Sequence, residues 1–98
     1  MSFTPPAELI EKEALTTVHF AHHDVLTDEA ARQRRRADAD RAATLGNAYH
    51  GKLDIYFQTA EGATKRVATT VWAADSDFIT LKSGASVPLH AVLGFDFY

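Results

Sequence analysis

The residues best suited to hold a metal are His19, His22, His23 and Asp24, within a chain of 98 residues. Neutral imidazoles and a carboxylate suit Zn²⁺ or a similar ion. His19 and His23 would share a face if this stretch were helical. No His-Glu-x-x-His arrangement accompanies them, and no later histidine pair stands at ligand spacing. The other reading is an exposed arm with incidental histidines. The expectation is therefore no bound metal, these four residues being the candidates if there is one.

Positive charge is most concentrated at Arg34-Arg35-Arg36, with Arg32 and Arg41 nearby. Arg32, Arg35 and Arg36 stand at i, i+3 and i+4, so on a helix they share one face that could meet phosphates. Asp28, Asp38 and Asp40 neutralise much of the same stretch, and a solvated face laced with ion pairs is the commoner meaning of such a pattern.

Three aromatic residues, Tyr56, Trp72 and Phe78, fall on neighbouring strands. On one outer face they could stack bases or bury a partner. The preferred reading has Trp72, aligned with the small Ala68 and Thr70, roofed by an alanine-rich helix as a second small core. His50 and His90 flank the same half of the chain, but general acid–base chemistry needs a second group in reach and a pocket around both. Ser83 and Ser86 sit in a turn without the context of a nucleophile elbow. With no Cys there are no thiolate ligands and no thiol nucleophile. The expectation is a protein that is not an enzyme and carries no cofactor.

Three textures position these residues. Residues 1–23 carry Pro5, Pro6 and a mixed stretch, and read as an arm ordered only where it docks. From about Thr27 to Leu45 the chain reads as a helix: Thr27 caps it, Asp28 and Glu29 suit its positive end, Ala and Arg fill it, and Gly46-Asn47 stops it. A clean apolar stripe is missing, since Leu26 and Leu45 lie at the ends with only Ala between. Beyond Tyr49 the period becomes two. Strands are expected at Lys52–Gln58, Arg66–Trp72, Phe78–Lys82, Val87–His90 and Gly94–Tyr98, with turns at Glu61-Gly62, Ala74-Asp75-Ser76 and Ser83-Gly84. Alternation puts Leu53, Ile55, Phe57, Val67, Val71, Ile79, Leu81, Leu89 and Phe95 in one core.

Composition bounds the function classes. The chain is 46% hydrophobic and has 10 basic and 13 acidic side chains, a formal charge of −3. That suits one globular domain and does not suggest a protein that coats nucleic acid. Residues 1–10 lack the basic and apolar regions of a secretory signal, and no apolar run reaches membrane-spanning length. Without a disulfide framework, a cytoplasmic location is expected.

Helix, meander, short strand, tight turn and last strand, in that order, resemble an Sm-like or SH3-like small barrel. Asp77-Phe78-Ile79-Thr80-Leu81-Lys82 is similar to the third-strand region of Sm-like proteins, and Val87–Val92 followed by Gly94–Phe97 is similar to their closing strand pair. The resemblance covers about 49–98 and implies RNA or partner binding, with His90 at the place of the family's RNA-contacting motif. Leu89 stands there where the bacterial RNA chaperone of the class has Lys, and Val67–Val71 lacks the usual glycine of the bent strand.

The fold expected is thus mainly β with one N-terminal helix (α+β): an arm at 1–23, then a single domain at 24–98 whose helix spans about 27–45 and whose five-stranded antiparallel barrel spans about 50–98. The function expected is a non-catalytic interaction module, homo-oligomeric, with an unidentified protein partner and no membrane. The alternative is RNA binding of Sm-like type through Arg32, Arg35 and Arg36.

Overall fold

The computed structural model describes residues 7–97; Pro5, Pro6 and Tyr98 lie outside them. The described residues form a mixed α+β fold with one α-helix and seven strands in two sheets. Strand β1 (Glu8–Ile10) precedes a 3₁₀ turn at Lys12–Thr17 and helix α1 (Glu29–Tyr49). Then come β2 (Leu53–Gln58), β3 (Thr64–Thr69), β4 (Val71–Ala74), β5 (Phe78–Leu81), β6 (Ser86–Pro88), a 3₁₀ turn at Leu89–Ala91 and β7 (Val92–Phe97).

One sheet has the order β1-β3-β2-β7 and the other β4-β5-β6. Neither closes, so the expected five-stranded barrel is corrected to two open sheets. The expected strand Arg66–Trp72 is the point of divergence. It breaks at Thr70, and β3 and β4 join different sheets on either side of that residue. The corner is fixed from outside, since the Lys82 amide donates to the Thr70 carbonyl at 2.9 Å.

The arm docks on the domain through β1 and the first 3₁₀ turn. β1 runs parallel to β3 with Leu9 beside Arg66 and Ile10 beside Val67, and Glu8 pairs with Lys65. Leu15 of the first 3₁₀ turn is buried in the core.

One core draws on both sheets, helix α1 and the first 3₁₀ turn. All nine residues assigned to it by alternation are buried, from Leu53 and Ile55 at 0% exposure to Leu89 and Phe95 at 4%. At about 25 cal/mol per Å² of apolar surface, these side chains are the main source of stability. Val87 and Val92 join them.

Helix α1 closes over this core with β4 and β7 as its main neighbours. Its buried positions are Arg35, Ala39, Ala42 and Gly46, a spacing of four, three and four that keeps one side of the helix inward. The missing stripe of large residues is thus a stripe of small ones. Gly46 does not stop the helix: a Cβ there would lie 1.8 Å from the Val71 carbonyl oxygen, so glycine permits the close approach of α1 to β4. The helix instead begins after Asp28, whose carboxylate accepts from the Ala30 amide, and ends on His50 in the left-handed conformation. Among the described residues, no helix is long and apolar enough to cross a membrane.

Candidate functional site

Arg35 is the most buried of the charged candidate residues, at 6% exposure. Its two terminal nitrogens bond both oxygens of Asp24, at 2.9 and 2.8 Å. One of them also donates to the Val92 carbonyl of β7 at 3.1 Å. Arg32 donates through Nε to the Leu26 carbonyl at 2.7 Å and lies 3.4 Å from Asp24. The hydrogen bond from Arg35 holds the Asp24 carboxyl below its usual range, against the opposing effect of burial. The structure therefore brings Arg32 and Arg35 together, but around a carboxylate inside the fold. Arg36 points elsewhere and pairs with Asp40 one turn on.

The same bonds account for Asp24, which also accepts from the Leu26 amide at 2.8 Å. His19, His22 and His23 are exposed, and among the described residues no group of three metal-ligating side chains is placed to hold an ion. His90 has a different task. Its Nε2 donates to the Ala21 carbonyl at 2.7 Å, and its own carbonyl accepts from the Val25 amide at 2.9 Å. It fastens the segment before α1 onto the 3₁₀ turn that leads into β7.

The three aromatic candidates separate. Tyr56 belongs to the first sheet and is buried, with its phenol pKa pushed up by burial and then by the charge of Asp54. Asp54 itself is buried, bonds Arg66 at 3.1 Å and directly faces Asp96 across β7. These charges went unnoticed in the sequence because alternation alone assigned them to solvent.

Trp72 and Phe78 belong to the second sheet and remain about half exposed, at 48% and 49%. The alanine face of α1 lies over Val71 rather than roofing Trp72; Asn47 of the helix reaches only the Trp72 carbonyl, at 2.8 Å.

An open cleft of about 430 Å³ separates the start of α1 from β7, with Leu26, Leu93 and Phe95 among its walls. Its ionisable lining is Arg34, Arg35 and Asp38, which does not provide the paired acid and base that proton-transfer chemistry needs. The large hydrophobic side chains exposed among the described residues are Leu9, Tyr49, Trp72 and Phe78, of which Trp72 and Phe78 share the sheet β4-β5-β6.

No known protein family, curated protein or solved structure matches the chain.

Proposed function

We propose that this protein is a non-catalytic interaction module that works by assembling with copies of itself. The half-exposed pair Trp72 and Phe78, on one small sheet, carries the reading. Large aromatics in well-packed contacts supply much of the binding energy at protein interfaces, and exposed apolar patches on small proteins commonly mark such contacts. A domain of 98 residues also has a limited core, so burying these rings against another chain adds to its stability.

The order of helix, four strands of which the second and third meet at a corner, short strand, 3₁₀ turn and last strand supports an Sm-like or SH3-like relationship. RNA binding through the arginine helix has less support than the sequence offered. Arg32 and Arg35 are engaged with Asp24, and both bond backbone carbonyls. The absence of Cys fits a reducing, cytoplasmic setting.

Sedimentation equilibrium over a hundredfold range of concentration tests the proposal. A mass rising above 10.8 kDa with concentration is expected. A constant 10.8 kDa throughout would sink it.

A further inference from the structure

The C-terminal half of α1 borders a second groove, and we infer that it is a binding site for small aromatic carboxylates, with Arg41 holding the carboxylate. The site stands apart from the proposed self-assembly and shares neither Trp72 nor Phe78 with it.

Helical spacing builds the groove. Arg41, Leu45 and Tyr49 follow one another at intervals of four and so run along one side of α1 over about 12 Å. Phe97 of β7 forms the facing wall, and Thr44 completes the lining of an open groove of about 400 Å³. That volume falls in the range of small-molecule sites. Leu45 and the rings of Phe97 and Tyr49 are its apolar surface. Tyr49 is 76% exposed, the most of any large hydrophobic side chain among the described residues.

Arg41 supplies the charge. Its guanidinium lies over the Phe97 ring, with Cζ 4.2 Å from the centroid. Stacking of this kind occupies one face of the planar group and leaves the N–H donors around its edge. Among the described residues Arg41 makes no ion pair and no side-chain hydrogen bond. The carboxylates near it are committed elsewhere. Asp40 pairs with Arg36, and Asp38 lines the other cleft, beside Phe95. Asp96 faces Asp54, on the side of β7 opposite the neighbouring rings of Phe95 and Phe97. No other lining residue carries a carboxylate or a cationic group.

The chemistry of the occupant follows from this lining. A held guanidinium with no anion beside it favours an anionic ligand, and its fork of donors matches the two oxygens of a carboxylate. From that point the groove continues as apolar surface over Leu45 and ends on the exposed Tyr49 ring. The complementary molecule has a carboxylate at one end and an aromatic ring a few carbons away, packed on Leu45 and edge-on or offset against Tyr49. One uncompensated cation does not make the row of charges that a nucleic-acid backbone requires.

Titration with phenylbutyrate, followed through the amide resonances of the isotope-labelled protein, tests the site. Saturable shifts are expected at millimolar concentrations, centred on residues 41–49 and Phe97. Phenylbutanol, which lacks the anion, and butyrate, which lacks the ring, should each bind about tenfold more weakly. Arg41→Gln should reduce phenylbutyrate to the level of phenylbutanol while leaving phenylbutanol itself unchanged. Tyr49→Ser should weaken phenylbutyrate and spare butyrate. Both positions are exposed, and unchanged circular dichroism would confirm that the variants fold; if one does not, the three ligands compared on the unaltered protein still decide. Absence of saturable shifts, shifts centred elsewhere, equal binding of the three ligands, or an Arg41→Gln variant of undiminished affinity would overturn the site.

Discussion

Arg35 and Asp24 meet through two parallel hydrogen bonds of 2.9 and 2.8 Å, with Arg35 on the inward side of α1 and Asp24 on the segment leading to it. A third bond, to the Val92 carbonyl, ties the same guanidinium to β7. One side chain thus locks three parts of the chain. Asp24→Ala strands a buried guanidinium, and the expected cost is about 3–5 kcal/mol. Urea denaturation would measure it, and a loss below about 0.5 kcal/mol would show that the pair is dispensable.

The same pair makes stability depend on acid. In the folded chain the Asp24 carboxyl lies below its usual value near 3.8, so folding favours its ionised form. Its contribution is complete above the unfolded value and is lost as pH falls through the lowered folded one. Asp75 acts in the same direction through the Phe78 and Asp77 amides. Asp24→Asn should flatten the fall in stability below about pH 4, leaving the remainder set by Asp75. Thermal melts from pH 6 to pH 2 would show it. An identical acid profile in the variant would exclude Asp24 as a source.

Gly46→Ala should destabilise the protein although alanine is the better helix former by about 1 kcal/mol. The new Cβ meets backbone, the Val71 carbonyl at 1.8 Å, which cannot swing aside as a side chain would. Overpacking of this kind costs about 1–3 kcal/mol. A raised melting temperature would mean that α1 does not approach β4 so closely.

Ile55→Ala removes a fully buried side chain from the centre of β2. The expected loss is about 2–5 kcal/mol, set by how far the surroundings collapse into the space. A change within about 0.5 kcal/mol, as at surface positions, would contradict its place in the core.

The docked part of the arm should contribute measurably to stability. A chain beginning at His19 lacks β1 and the buried Leu15. Its melting temperature should fall by several degrees or more, since a buried leucine alone contributes about 1.5–3 kcal/mol. Equal melting of the two chains would show that the docked arm adds nothing.

The core strands were legible because Leu53, Ile55 and Phe57 alternate with polar neighbours. Alternation misled at the polar positions between them. Asp54 and Tyr56 are also buried, because both faces of β2 are covered, and a period of two cannot report that. Thr69-Thr70-Val71 reads as an uninterrupted strand since all three residues are β-branched; the break at Thr70 depends on its bond to the Lys82 amide, far along the chain. Gly46 had the type of a helix stop, yet its reason is the backbone across from it. Arg35 resembled its neighbours Arg34 and Arg36 until the packing of α1 gave it an inward direction. Trp72 and Phe78 were recognisable as a possible contact pair, but only the register assigned them to a sheet separate from Tyr56.

The parallel pairing of β1 with β3 has a consequence for how the chain reaches this structure. Glu8 and Lys65, which it joins, are 57 residues apart, whereas β2 and β3 are separated by a short turn through Gly62. Closing the longer loop costs more entropy and wins only three paired residues. The local hairpin is therefore expected to form early and the arm to dock late. Until it does, β3 offers an unpaired edge, and an arm from a neighbouring molecule fits that edge as well as its own. Refolding at high protein concentration should accordingly yield some arm-exchanged dimers, slow to revert because each arm must detach before it can return.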